Sequence, residues 1–139
     1  MHRVFAFGTL KRGFPLHDRG LTGAVFLGRC RTLDPYPMFV AGTWFAPMML
    51  DQPGIGLRVA GELYEVDDGA LALIDRLESI GQAGNLRRTI MVELLDGGER
   101  HSAIVYMKSA ELAQPAHTGY LEDYQDRRFV PPERRPQQR

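Results

Sequence analysis

One long segment of this sequence has the spacing of an amphipathic helix, and segments with strand patterns lie on both sides of it. Residues 70–80 repeat apolar side chains at helical intervals. Asp67 and Asp68 precede the repeat as N-cap candidates, and Gly81 follows it as a C-terminal stop. The remaining apolar segments have strand length, and they cover residues 4–7, 24–33, 38–41, 57–66, 86–95 and 100–107. The pattern predicts a strand-rich α+β fold, with a hairpin turn at residues 96–98.

Length and composition favour one globular domain followed by a short tail. The chain has 139 residues, of which 44% are hydrophobic, and this is enough for one continuous core without disulfides. We expect a single domain over residues 1–126. Residues 127–139 are rich in proline and arginine, and the pattern predicts nothing apolar to bury there, so we expect an extended or disordered tail.

The charge balance gives no general attraction to nucleic acid or to an anionic membrane. Seventeen basic and seventeen acidic residues cancel. No apolar run reaches bilayer length, and the first residues lack the apolar centre of a signal peptide. We therefore expect a cytoplasmic protein that binds neither membrane nor nucleic acid. The only cysteine, Cys30, excludes an intrachain disulfide, and its apolar neighbours favour a packed thiol.

The sequence offers no recognisable metal or cofactor motif. Its four histidines stand far apart, at His2, His17, His101 and His117, and no cysteine pair accompanies them. Neither a phosphate-binding loop nor a dinucleotide fingerprint is present. We expect no metal and no cofactor, which leaves acid–base chemistry by carboxylates.

Helix geometry singles out Glu78 among the carboxylates of the helical segment. Projected at 100° per residue, the apolar side chains of this segment form one stripe: Leu73, Ile74, Leu77 and Ile80. Glu78 lies beside this stripe, where desolvation and the negative end of the helix dipole both raise the pKa of a carboxyl group. Such a group suits a general base that later returns its proton. Equally, Glu78 can border the core and pair with Arg87 or Arg88.

The first strand stops at a glycine and is followed by a polar loop. Residues 4–7 form an apolar run, and Gly8 and Thr9 predict a turn at its end. Because a glycine has no Cβ, backbone N–H groups in such a loop are open to an anion or a carbonyl oxygen. The alternative interpretation is a tight connection that needs a glycine for the turn alone.

Two elements taken together resemble a known family. The strand and loop end in Phe-Gly-Thr-Leu-Lys-Arg-Gly at residues 7–13, the helix ends in Leu-Ile-Asp-Arg-Leu-Glu-Ser at 73–79, and Arg-Arg-Thr follows at 87–89. This combination resembles the gamma-glutamylcyclotransferase-like family over about residues 3–108. The resemblance implies a mixed α/β domain with a small barrel-like sheet and flanking helices.

The resemblance also implies an activity and its residues. It places Glu78 on the family's catalytic glutamate, and Phe7, Gly8, Thr9 and Leu10 on its substrate-binding loop. The implied reaction converts a small-molecule γ-glutamyl amine or peptide to 5-oxoproline and a free amine, without metal or cofactor.

Two positions depart from the family pattern, and two other functions are open. Phe7 and Leu86 stand where the family usually has tyrosine, and each change removes a hydroxyl group that bears on substrate choice. A relative that binds a small acidic metabolite without turnover is one alternative. A protein-interaction module that uses the arginine-rich tail is the other. Within the enzyme hypothesis, we expect Tyr36, Trp44 and Met48 as candidates for the pocket wall.

Overall fold

The computed structural model describes residues 1–136 and contains a closed five-stranded barrel beside a two-stranded hairpin. The strands are β1 (His2–Ala6), β2 (Val25–Thr32), β3 (Met38–Ala41), β4 (Ala46–Met49), β5 (Ala60–Val66), β6 (Asn85–Leu94) and β7 (Arg100–Lys108). The helical elements are α1 (His17–Gly20), α2 (Asp68–Leu77) and a 3-10 helix over Pro132–Arg134. This architecture confirms the predicted α+β class with a small barrel-like sheet and flanking helices.

The barrel closes between the first and the last strand. Its order is β1-β5-β2-β6-β7, and β7 pairs with β1 in parallel at Val4 and Ile104. The other neighbouring strands are antiparallel. Strands β6 and β7 pair from Asn85 and Lys108 to Glu93 and Arg100, which confirms the predicted hairpin. Because the barrel is closed, the ends of β1 and β7 lie side by side.

Side chains of the barrel strands supply two apolar clusters. Leu63 of β5 belongs to the cluster inside the barrel. Its neighbours Tyr64 and Val66 belong to a second cluster, which Ile74 of α2 completes. Packing against this outer cluster holds α2 on the barrel wall, since burial of apolar surface is the main force that fixes a short helix.

The helix α2 begins as predicted but ends earlier. Asp67 caps it, and its side chain accepts a hydrogen bond of 2.8 Å from the Ala70 N–H. The expected end near Ile80, with Gly81 as the stop, is wrong, because α2 ends at Leu77. Ser79 takes the left-handed conformation instead, with φ of 54°.

The C-terminal part of the chain lies against the barrel. Residues 109–131 contain no regular element and follow the edge of β3, where His117 N–H bonds to Val40 O and Leu121 N–H to Met38 O, both at 2.8 Å. Tyr124 is fully buried in the interior cluster.

The tail is extended but not solvated throughout. Phe129 packs against the outer cluster, Pro131 is buried, and Val130 N–H donates to Trp44 O at 3.0 Å. The expectation that this region has nothing apolar to bury is therefore wrong for the residues that the structure describes. Gln137, Gln138 and Arg139 lie outside them. No helix within residues 1–136 is both long and apolar enough to cross a membrane.

Candidate active site

A cavity of about 200 Å³ brings the predicted loop and the predicted carboxylate together. Its wall includes all five predicted site residues, namely Phe7, Gly8, Thr9, Leu10 and Glu78. A third side of the cavity comes from β7, with Tyr106 and Lys108. A fourth side comes from the C-terminal segment, with Phe129, Pro132 and Arg135. The parallel β1–β7 pair explains this meeting, because it places the loop after β1 beside the end of β7.

The loop presents backbone donors that the other described residues do not use. The carbonyl groups of Gly8 and Thr9 accept from Lys11 N–H at 3.0 Å and Leu16 N–H at 2.9 Å. Leu10 O lies 2.9 Å from His17 Nδ1. Among the described residues, the N–H groups of Gly8, Thr9 and Leu10 have no acceptor. Three free donors in a row on a cavity wall suit a carboxylate or an oxyanion.

Gly8 is required by close packing against the β3–β4 hairpin. A Cβ at this position would lie 2.5 Å from Cγ of Pro47, which is far inside contact distance. The absence of a side chain therefore lets the loop approach Pro47, and both residues line the cavity. The turn predicted from Gly8 and Thr9 is present, and it is closed by the hydrogen bond from Lys11 N–H to Gly8 O.

The end of α2 sets the position of Glu78. Ile80 N–H bonds to Asp75 O at 2.9 Å and Ser79 N–H to Arg76 O at 3.1 Å, which is the Schellman arrangement with Ser79 as the left-handed residue. Glu78 is the C-cap. A non-glycine residue with positive φ costs free energy, and here it stands next to the carboxylate on the cavity wall.

The apolar stripe of α2 differs from the prediction at two positions, because Leu71 takes the place expected for Leu73. Leu71 and Ile74 are buried, whereas Leu73 is 37% exposed. Glu78 follows Ile74 by four residues and therefore lies on the buried face itself. Its side chain is 18% exposed.

Burial and one neighbouring cation determine the protonation of Glu78. Burial raises the pKa of the Glu78 carboxyl above its ordinary value, and the Lys108 ammonium opposes this shift only in part. Lys108 Nζ lies 3.8 Å from Glu78 Oε2 and donates to Asn85 Oδ1 at 2.6 Å. A carboxylate with a raised pKa beside free N–H donors can take a proton from a bound molecule and return it.

The alternative in which Glu78 pairs with Arg87 or Arg88 is wrong. Arg87 Nη1 lies 2.7 Å from Asp75 Oδ2, and Arg88 Nε lies 3.2 Å from Asp51 Oδ2. Both arginines therefore have other carboxylate partners, and the cation beside Glu78 is Lys108.

The wall residues that the sequence did not predict include three with polar or charged ends, Tyr106, Lys108 and Arg135. The first two alternate on β7, so the strand period would place them on one face, but it does not say which face meets the cavity. The Tyr106 hydroxyl donates to Asp75 Oδ1 at 2.7 Å. Arg135 belongs to the tail, where no sequence pattern indicates contact with a site.

The positions that depart from the family pattern have different surroundings. Phe7 is buried and lines the cavity, whereas Leu86 packs against the interior cluster and does not line it. The candidates Tyr36, Trp44 and Met48 are also absent from the cavity wall. Within residues 1–136, no three His, Cys, Asp or Glu side chains lie close enough to hold a metal ion.

Comparison with known proteins finds similar chains along most of the length. A family model described as gamma-glutamyl cyclotransferase, AIG2-like, matches residues 4–126. The gamma-glutamylaminecyclotransferase of Bos taurus is 40% identical over 126 residues, which cover 87% of this chain and 74% of that protein. The Mus musculus protein of that name is 33% identical over 134 residues, 89% of both chains. The crystal structure of an AIG2-like protein from Mus musculus has a TM-score of 0.85 at 32% identity and covers 97% of this chain and 99% of that one.

Proposed function

Because this chain belongs to the gamma-glutamyl cyclotransferase, AIG2-like family, we propose that it converts a γ-glutamyl amine or peptide to 5-oxoproline and a free amine. Family membership makes it an enzyme of the gamma-glutamylcyclotransferase kind. One observation supports the proposed mechanism: Glu78 lines the same cavity as Gly8, Thr9 and Leu10, whose N–H groups have no acceptor among the described residues.

In the proposed reaction the nucleophile is part of the substrate. The α-amine attacks the γ-carbonyl carbon, and the new C–N bond closes a five-membered ring. A cavity that holds the γ-glutamyl group bent brings the two reacting atoms together, so that the entropic cost of their encounter is met on binding. This chemistry requires neither a nucleotide nor a metal.

Glu78 is proposed as the group that moves the proton. It accepts a proton from the attacking amine as the ring closes, and it returns this proton to the leaving nitrogen as the original C–N bond breaks. A carboxyl group with a pKa raised by burial is suited to both steps. Because the proton only passes through Glu78, the carboxylate is restored at the end of each turnover.

The loop donors are proposed to stabilise the charge that develops on the γ-carbonyl oxygen. Attack of the amine places a negative charge on this oxygen, and the N–H groups of residues 8–10 are free to receive it. Hydrogen bonds to the carbonyl groups of Gly8, Thr9 and Leu10 fix the loop in the folded protein. The N–H donors are therefore oriented before the substrate binds, and the reaction step does not have to order them.

We also propose that the substrate is the only ligand of this site and that the protein is cytoplasmic. The zero formal net charge supports the absence of a nucleic-acid or membrane partner. A single buried cysteine is compatible with a reducing compartment.

Replacement of Glu78 by glutamine tests the mechanism. The Glu78→Gln variant should lose roughly 10²- to 10⁴-fold in kcat/KM for γ-glutamyl amines, measured as 5-oxoproline formed. The Glu111→Gln variant removes an exposed carboxylate elsewhere and should keep full activity. Activity of Glu78→Gln within tenfold of the parent contradicts the mechanism. Ligand-induced thermal stabilisation of the parent protein without product would instead support the non-catalytic binder.

A further inference from the structure

The geometry points to Arg135 as a carboxylate-binding residue of the active-site cavity, supplied by the C-terminal segment of residues 129–135. This inference rests on the proposed function, because the carboxylate in question belongs to the γ-glutamyl substrate. It assigns a binding role to a part of the chain that has no regular strand and only one turn of 3-10 helix.

The Arg135 guanidinium is held in one orientation. Its Nε donates to Val130 O at 2.9 Å, which closes a loop within the segment. Its Cζ lies 5.1 Å from the centre of the Trp44 ring and 5.6 Å from that of Phe129. Contact with two aromatic rings and one carbonyl leaves the two terminal nitrogens as the groups available to a ligand.

No carboxylate of the described residues lies within ion-pair distance of Arg135. The nearby acid, Glu133, pairs with Arg19 at 2.7 Å. Partial burial lowers the pKa of Arg135, and the charge of Glu133 opposes this only in part. A half-buried guanidinium without a protein carboxylate is complementary to a carboxylate on a ligand, which it can bind through two parallel hydrogen bonds.

Lys108, the other cation that lines the cavity, already has partners within the protein. Lys108 lies beside Glu78 and donates to Asn85, so its charge serves the proposed proton-transfer group. Arg135 is therefore the charged group left to bind a carboxylate of the substrate. Such a group is always present on the glutamyl half and is present on the amine half when the leaving amine is an amino acid.

The segment that carries Arg135 is fixed at several points. Val130 N–H bonds to Trp44 O at 3.0 Å, and Pro131 is buried. The Arg19–Glu133 pair connects the 3-10 helix to α1. The binding group is thus in place before the substrate arrives, which lowers the entropic cost of binding.

Three amides distinguish the possible sources of the carboxylate. The first is γ-glutamyl pentylamine, and the second is γ-glutamyl 6-aminohexanoate, which adds a carboxylate to the amine half. The third is 4-aminobutanoyl pentylamine, which lacks the carboxylate of the glutamyl half. Each is tested with the parent protein, with Arg135→Gln, with Arg135→Lys, and with Arg134→Gln as the exposed neighbouring control.

We expect Arg135→Gln to raise KM by about 10- to 100-fold for substrates that carry the recognised carboxylate, with little change in kcat. A rise for both γ-glutamyl substrates, but not for the third amide, assigns Arg135 to the glutamyl carboxylate. A rise for the 6-aminohexanoate alone assigns it to the amine half. Arg135→Lys should recover part of the loss, and Arg134→Gln should behave as the parent.

Two results would overturn this assignment without touching the proposed function. These are an unchanged KM for all substrates in Arg135→Gln, or an equal rise for all three, which indicates a structural effect. A parent protein that turns over none of the three contradicts the proposed function instead. Calorimetric binding of the same compounds to the parent and to Arg135→Gln then decides whether Arg135 holds a carboxylate.

Discussion

Lys108 Nζ lies 3.8 Å from Glu78 Oε2, and each of the two side chains is only 18% exposed. The pair joins the last residue of β7 to the C-cap of α2. Burial disfavours both charges, so the pKa of Glu78 is raised and that of Lys108 is lowered, each against the attraction of its partner. Lys108 thus favours the ionised form of the Glu78 carboxyl, against the effect of its burial.

Removal of the Lys108 charge should shift the pH dependence of activity. As a general base, Glu78 must be ionised, so kcat/KM falls as the pH drops through the raised pKa of Glu78. In Lys108→Met the opposing attraction is lost, the pKa of Glu78 rises further, and the acid limb of the profile moves to higher pH. The measurement is kcat/KM against pH for both proteins.

The control for this experiment is Arg88→Met, which removes an arginine that pairs with Asp51 rather than with Glu78. Its acid limb should coincide with that of the parent protein. If Lys108→Met also keeps the parent acid limb, Lys108 does not act on the group that limits activity at low pH.

Packing of Gly8 against Pro47 should make even one added methyl group costly. In Gly8→Ala the new Cβ would lie 2.5 Å from Pro47 Cγ, and the loop or the β3–β4 hairpin must move. We expect a loss of about 1–3 kcal/mol in the free energy of unfolding. A raised KM should accompany it, because the loop donors are displaced. Urea denaturation and steady-state kinetics measure the two effects.

Two further variants show whether the Pro47 contact is the cause. The double variant Gly8→Ala/Pro47→Ala removes the clashing Cγ and should recover part of the lost stability. Gly69→Ala lies in the first turn of α2, where the added Cβ would make only an ordinary contact of 3.6 Å with Asp67 Oδ1, and it should be neutral or stabilising by up to about 1 kcal/mol. Equal losses for Gly8→Ala and Gly69→Ala would contradict the packing argument.

Restoring a tyrosine at Phe7 and at Leu86, the two positions where the family usually has one, should affect substrate binding differently. Phe7 lines the cavity, so Phe7→Tyr adds a hydroxyl group where the substrate is proposed to bind. We expect KM to change by roughly threefold or more, the usual scale of one added hydrogen bond. Leu86 lies off the cavity wall, and Leu86→Tyr should leave KM unchanged. The measurement is the KM of each variant for one γ-glutamyl amine. Equal changes in KM for Phe7→Tyr and Leu86→Tyr would contradict the argument that only Phe7 lines the binding cavity.

Local patterns in the sequence were sufficient for six of the seven strands and for part of the site, but they did not predict β4. Alternation and turn residues predicted the β6–β7 hairpin, and the acidic N-cap predicted the start of α2. Helix projection placed Glu78 near the buried face because such geometry depends only on positions within one helix. The resemblance of residues 7–13 to a family loop predicted a second group of residues, 7–10, that line the cavity.

Contacts between distant parts of the chain could not be predicted in this way. Lys108 reaches Glu78 only because the barrel closes between β1 and β7, and no periodicity encodes that closure. Ser79 takes a left-handed conformation that is usual for glycine, so the sequence pattern predicts a helix end at Gly81, later than the one observed at Leu77. Arg135 and Phe129 lie in a segment whose composition indicates disorder, although both contact the folded part.

The ion pair between Lys11 and Asp123 should respond unequally to loss of either partner. Lys11 Nζ donates to Asp123 Oδ1 at 2.9 Å and to Tyr124 O at 2.8 Å, and it connects the chain just after the 7–10 loop to the C-terminal part. The Lys11 side chain is 5% exposed, whereas that of Asp123 is 38% exposed. Asp123→Asn leaves a buried cation without a counter-charge, which we expect to cost about 3 kcal/mol of unfolding free energy. Lys11→Met leaves a carboxylate that water can reach, and it should cost about 1–2 kcal/mol.

The pH dependence of stability gives an independent test of the same pair. Burial raises the pKa of Asp123, but hydrogen bonds from Lys11 and Gln125 outweigh it and hold this pKa below its ordinary value. A folded-state pKa below that of the unfolded chain stabilises the protein above the ordinary range of an aspartate, and this stabilisation is lost as the pH falls through the folded-state value. The parent should therefore lose more stability than Asp123→Asn on acidification below about pH 4, measured by urea denaturation. A parallel decline in both proteins, or a larger loss at neutral pH for Lys11→Met than for Asp123→Asn, would contradict this account.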